Sequence, residues 1–297
     1  MRYWYFFFVW VIAMVVSCED VIEVDTPTEP PRLSVDAVFR VDITEEFIPV
    51  EVKVTETDNF FGEVPVTSLE NIVIIISLTD SLGFESSGVR ALAESEPGTG
   101  IYIPDPNFSS DQRIPTSAVE FDLRYDLIIN HKDRKYIAQT KYVPAVPIDN
   151  IVQGTGTLFG DNDTEVVITI NDDPNRDDFY IFDFDFNEYL VSEDEFYQGQ
   201  EFEFSYFYDR NFEQGKEIEI SILGADETFY NYMNQLIEQT EGQQGPFQTP
   251  VATVRGNVFD ITGLDNIDVF DNAERPQVFP LGYFAIVQEF KEKIVIQ

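Results

Sequence analysis

One cysteine and one histidine in 297 residues remove most nucleophile and metal chemistry before any motif is sought. A zinc site built from several His or Cys ligands is excluded, and so is an intramolecular disulfide. The fold therefore rests on packing alone, even in an oxidising compartment. Any Ser-His-Asp arrangement has to be built around His131, which lies in an expected hairpin turn as an exposed spectator. No Gly-x-Ser-x-Gly elbow, P-loop or dinucleotide fingerprint is present. Basic residues are scarce as well: 18 Lys and Arg stand against 55 Asp and Glu, a net charge of −37. Such a chain is repelled by phosphate backbones and anionic lipid, which argues against a nucleic-acid partner. Beyond the N-terminus no apolar run approaches the ~20 residues of a membrane helix.

The one cysteine stands at an informative place. Met1 and Arg2 precede an apolar stretch from Tyr3 to Val16, and Val15-Val16-Ser17-Cys18 resembles a lipobox. The stretch has the length of a signal h-region and is too short to span a bilayer. Residues 1–17 are expected to be a cleaved signal peptide, with Cys18 thioether-lipidated at the new N-terminus. An acidic run (Glu19 to Asp25) and a segment with three prolines follow, so 18–31 reads as a lipidated start and a semi-rigid tether.

From Arg32 onward the hydrophobic period is two, which places alternate residues on opposite faces of strands. Leu33, Val35, Ala37 and Phe39 alternate with Ser34, Asp36 and Val38; Val50, Val52 and Val54 alternate with Glu51 and Lys53. Ile72 to Leu78 reads as a strand covered on both faces. Ala118 to Ile129 and Lys135 to Tyr142 read as strands joined by a hairpin turn at 130–133. These strands predict an immunoglobulin-like β-sandwich over 32–143. Val143-Pro144 and Pro147 predict an extended linker over 144–149. The remainder, 150–297, reads as a larger antiparallel β domain. Its apolar faces are Val166, Ile168 and Ile170; Tyr180 to Phe186; Phe202 to Tyr208; and Ile218, Ile220 and Ile222. One helix is expected at about 227–241, with Asp226 as N-cap and Phe229, Met233, Leu236 and Ile237 on one face. The fold class is therefore all-β with a single helix.

The opposite faces of the second-domain strands carry Asp183, Asp185, Glu201 and Glu203. If the first two of these strands pair as a hairpin, Asp185 falls opposite Glu203 and Phe184 opposite Phe204. Facing carboxylates repel unless solvent or a cation intervenes. These four, with Phe179 and Phe207 on the same otherwise polar face, are candidates for a ligand or cation surface; a solvated outer face in an acidic protein is the simpler explanation. Asp161, Asp163 and Glu165 form an oxygen-rich loop with the ligand type of a Ca²⁺ site. They lack EF-hand spacing, and turn chemistry accounts for them more economically. No cofactor is otherwise expected. The even-position aromatics suit a sheet core better than a sugar-stacking platform.

Several short segments together are similar to a known family: the cysteine with its acidic-aliphatic run; Pro31-Arg32-Leu33-Ser34-Val35-Asp36; Tyr125-Asp126-Leu127-Ile128-Ile129; and Lys135-Tyr136-Ile137-Ala138-Gln139-Thr140. Val143-Pro144, Pro147-Ile148-Asp149, Phe229-Tyr230-Asn231-Tyr232, Gly245-Pro246-Phe247, Arg255-Gly256-Asn257-Val258 and Leu281-Gly282-Tyr283-Phe284 extend the likeness. The chain resembles a Bacteroidetes-type outer-membrane lipoprotein family, domain of unknown function 4249, usually associated with TonB-dependent transporters. The resemblance implies a lipid-anchored, surface-facing outer-membrane protein that assists such a transporter by ligand capture or docking, without catalysis. A surface adhesin or structural envelope protein is the first alternative. The second is a glycan hydrolase built on a carboxylate pair, which leaves no sequence signature.

Overall fold

Period-two patterning becomes strand after strand in the computed structural model, which describes residues 31–57, 68–79, 85–158, 160, 163–241, 253–264 and 279–297. Cys18, the tether and Asp161 lie outside the described residues. Strand β1 (Leu33–Val41) buries its odd residues and turns its even ones outward. It pairs antiparallel with β2 (Val52–Glu56), setting Asp36 opposite Lys53. Next come β3 (Asn71–Thr79), β4 (Glu85–Glu94) and β5 (Ile101–Pro104). β3 is covered on both sides, as its aliphatic run predicts. Ile72 and Ile74 enter the main core, while Val73 and Ile75 pack with Ile128, Ile137 and Ile261.

The expected strand at 118–129 begins later than the pattern implies. Residues Thr116–Glu120 form a 3₁₀ turn behind Pro115, and β6 runs from Arg124 to His131. The hairpin to β7 (Arg134–Val143) is a two-residue turn with Lys132 at φ 48° and Asp133 at φ 59°. Both positive values match the twist of the flanking strands. His131 is not an exposed spectator: it ends β6 on the inward face, buried, with Nε2 3.1 Å from Glu56 Oε1.

The second half contributes β8 (Ile148–Gln153), β9 (Thr164–Asn171), β10 (Phe179–Asp183), β11 (Tyr189–Glu193), β12 (Glu201–Tyr208) and β13 (Glu217–Ala225). Helix α1 (Glu227–Glu241) follows, capped by Asp226, whose Oδ1 accepts the Phe229 N–H at 2.7 Å. Last come β14 (Val258–Asp260) and the 15-residue β15 (Leu281–Val295).

A twelve-strand sheet runs in the order β11-β10-β13-β15-β1-β2-β5-β4-β3-β6-β7-β14, and β15 also pairs with β7. Eight of these strands therefore close a ring around the first core, which holds Val35, Phe39, Ile74, Tyr125, Phe284 and Ile286. A second sheet, β12-β9-β8, lies over β10, β13 and the end of β15. Between them sits a second core of Ile168, Phe182, Phe184, Phe204, Tyr206 and Ile220. The architecture is all-β with one helix.

β15, about 50 Å long at strand rise, serves both halves: Ser34 to Val41 pair along its first part and Glu217 to Leu223 along its second. Hydrogen bonding thus runs continuously past the expected linker. Residues 144–147 lie between strands, yet Ala145 and Val146 are buried, and the Ala145 N–H donates to Gln288 Oε1 at 3.0 Å.

The assumed β10–β12 hairpin does not form. β10 pairs with β11 and β13, and β12 pairs with β9. The cause is local. After Asp183 the chain turns through Asp185, Phe186 and Asn187, all at φ between 52° and 64°. Asp183 Oδ1 accepts the Asp185 N–H and Asp185 Oδ1 accepts the Phe186 N–H. Side-chain oxygens satisfy the backbone of a left-handed turn that Asp and Asn tolerate better than most residues. Phe184 and Phe204 still meet, across the two sheets, at 6.5 Å between ring centres.

Candidate functional site

The outer face of the large sheet rises into a cleft beneath α1. Its floor comes from the even residues of β1 (Ser34, Asp36, Val38, Arg40), from Glu51 and Lys53, and from Tyr283 of β15. Parallel pairing sets Asp36 beside Tyr283, and antiparallel pairing sets it beside Lys53, so three strands align one row across the floor. Ile181, Leu223 and Tyr189 make one wall, and Phe229, Tyr232, Met233 and Leu236 of α1 make the other. The cavity measures 550 Å³, within the range of small-molecule sites. Gly282, at φ 92°, lies so close to β1 that a Cβ there would stand 1.8 Å from the Val35 carbonyl oxygen. Only glycine lets these two floor strands approach in this way.

The cleft is apolar under the helix and charged toward β2. Phe229 and Tyr232 each pack on Tyr283 at 4.8 Å between ring centres. Burial pushes the Tyr232 phenol up, and the Asp36 charge adds to it. Burial also raises Tyr189, helped by Asp183 and Asp36 and opposed by Arg40. Arg40 is committed to Asp183 at 2.7 Å and Glu289 at 3.2 Å. Among the described residues Asp36, Glu51 and Lys53 make no side-chain hydrogen bond or ion pair, so three charges face open volume. Polar groups converging beside an aromatic wall make this cleft the candidate ligand site.

The acidic and aromatic candidates read from the sequence are not assembled together. Asp183 is half-buried and does not line the cleft; it holds Arg40, which does. Asp185 sits in the left-handed turn, its carboxylate accepting a local N–H. Glu201 and Glu203 lie on β12 in the other sheet, opposite Asn171 and Thr169 rather than opposite Asp185. Phe207 is half-buried opposite Glu165 on that sheet. Phe179 belongs to the apolar cluster under α1, 5.1 Å from the Tyr230 ring, and does not share a face with Phe207.

The proposed calcium loop uses its carboxylates on its own backbone. Asp163 Oδ2 accepts from Leu158 N and Gly160 N at 2.8 and 3.1 Å, and Glu165 Oε2 accepts from Gly156 N at 2.6 Å. Hydrogen bonds to Ser205 and Gly156 hold the Glu165 carboxyl below its usual range.

A second acidic group has no sequence motif: Asp172, Asp178 and Asp194 are buried, each with an oxygen within 4.8 Å of the others. Their partners are internal. Gly199 N donates to Asp172, Asp178 N to Asp194, and Arg176 pairs with Asp178 at 3.0 Å. The Tyr180 hydroxyl stands 2.6 Å from Asp172 and 2.9 Å from Asp178, with one hydrogen for the two. Burial pushes Asp178 and Asp194 up, favouring the protonated form that the second contact needs.

Two of the short segments that carry the family likeness, 255–258 and 281–284, meet in the fold; the Cys18 run and Gly245-Pro246-Phe247 lie outside the described residues. Asn257 brackets β15, accepting the Phe284 N–H and donating to the Phe284 carbonyl, both at 2.8 Å. Gly256 leaves room for the Gly282 carbonyl. Tyr283 adds the aromatic floor of the cleft. A comparison with curated proteins finds no match. The model of the family described as a domain of unknown function (DUF4249) matches residues 19–264, and the chain belongs to that family.

Proposed function

We propose that this protein is a non-catalytic outer-membrane lipoprotein, lipidated at Cys18 and facing the cell surface, that captures a small ligand for a TonB-dependent transporter. The observation that supports capture is the 550 Å³ cleft under α1, where Asp36, Glu51 and Lys53 face open volume beside an aromatic wall. Support for the anchor comes from the apolar run and Cys18; support for the transporter comes from the family resemblance. The floor and wall are strands and a helix pinned by packing, which suits binding by a preformed site.

Two preparations test the reading. Cys18→Ala should move the protein from the membrane to the soluble fraction, and persistent membrane attachment refutes the lipid anchor. Gentle detergent extraction of the tagged native protein should bring down a TonB-dependent barrel in near-stoichiometric amount. Recovery of the lipoprotein alone, from membranes rich in such barrels, removes the transporter and puts an adhesin or structural role first.

A further inference from the structure

The cleft carries a charge pattern that selects among ligands. Its lining holds Asp36, Glu51, Arg40 and Lys53. Arg40 has no charge to offer, because Asp183 and Glu289 both bind it; Lys291 stands behind Glu289 at 3.1 Å. Across Asp36, Glu51, Asp183 and Glu289 against Arg40, Lys53 and Lys291 the balance is negative. The protein around it carries −37 and deepens that field. An anion is therefore disfavoured.

Asp36 lies at the centre of the floor. Its charge bears on Tyr232 of the helix wall and on Tyr189 of the opposite wall. Tyr283, in register beside it, packs against both Tyr232 and Phe229. A carboxylate among aromatic rings attracts organic cations twice over, through the ion pair and through the negative faces of the rings. Ile181, Leu223, Met233 and Leu236 next to it accept an apolar body. We propose that the cleft binds an organic ammonium ion with an apolar body, a reading that rests on the cleft being the ligand-capture site. Lys53, across the ladder from Asp36, is then a resident competitor whose ammonium occupies the same field.

Three probes of one body separate the alternatives: 2-phenylethylamine, 2-phenylethanol and 3-phenylpropionate, titrated by calorimetry into the full-length protein in uncharged detergent. The amine should bind tightest. Asp36→Asn should weaken it about tenfold, the loss of one charge-assisted contact, while leaving the alcohol unchanged. Lys53→Met should tighten the amine. Both residues are exposed, so thermal melts should match the parent. If the alcohol or the propionate binds as tightly as the amine, and Val38→Trp in the cleft floor abolishes that binding, the ammonium assignment is overturned and the capture site stands. If none of the three binds, the ammonium assignment is overturned, and capture itself is decided by what the native protein carries.

Discussion

Replacing Phe184 by alanine tests the joint between the two sheets. Phe184 is fully buried. Its ring stacks on Tyr206 at 3.7 Å and 8°, and lies 6.2 to 6.5 Å from Phe182, Phe204 and Tyr208. Phe182 and Phe184 come from the β10 side; Phe204, Tyr206 and Tyr208 come from β12 in the other sheet. Truncating such a side chain removes its transfer free energy and leaves a cavity that surrounding rings fill only in part, about 3–5 kcal/mol. The stacked pair with Tyr206 adds about 0.5–1.5 kcal/mol. Against a typical stability of about 5–15 kcal/mol, this is a large share. Urea denaturation followed by far-ultraviolet circular dichroism measures the change. Phe196→Ala is the control, because that ring is 88% exposed and its loss should stay within about 0.5 kcal/mol. A cost for Phe184→Ala below about 1 kcal/mol, equal to the control, would refute the interlocked aromatic seam.

Asp194→Asn should make stability less dependent on pH. Burial first, then the charges of Asp172 and Asp177, hold the Asp194 carboxyl above the unfolded value of 3.8. The folded state therefore keeps its proton longer, and stability falls as pH rises through that window, by at most about 1.36 kcal/mol per pH unit for one group. The amide oxygen can still accept the Asp178 N–H, so the variant should gain on the parent between pH 4 and pH 7; a pH-independent difference contradicts this. Tyr125→Phe should stabilise by about 1 kcal/mol, seen as a higher melting temperature. The Tyr125 hydroxyl is buried without a hydrogen-bond partner among the described residues, and burial pushes it up to about 12. A lower melting temperature would reveal a lost partner. Calcium titration by calorimetry should show weak binding or none; a tight stoichiometric signal would place an ion where Asp163 and Glu165 now serve backbone N–H groups.

Strand identity was legible because one face of nearly every strand meets a core. Leu33 to Phe39, Ile218 to Ile222 and the aromatics of β10 and β12 declare their inward faces at period two. Helix α1 was legible from Asp226 and the Phe229–Met233–Leu236 spacing. Pairing was not legible, since period two fixes a face and leaves the neighbour open. Asp185-Phe186-Asn187 turned β10 away from β12, a left-handed passage with no glycine to announce it. The closing role of β15 was hidden by sequence distance: Val35 and Gly282 are neighbours only after folding. The cleft was hidden for the same reason. Ser34, Asp36, Val38 and Arg40 read as an ordinary outer face, and only the return of β15 with α1 roofs them. The burial of His131 is not legible locally, because a polar residue before a turn is ordinarily solvated and its partner Glu56 is 75 residues away.

The most direct test of ligand capture is an inventory of what the native protein carries. Protein purified from its native cells is denatured, and the released small molecules are compared by mass spectrometry with those from a Val38→Trp variant of matched melting temperature. Val38 is a floor residue, and tryptophan there fills the cleft. A small, positively charged molecule should be present with the parent and absent with the variant. Identical inventories from the two proteins would contradict capture in this cleft.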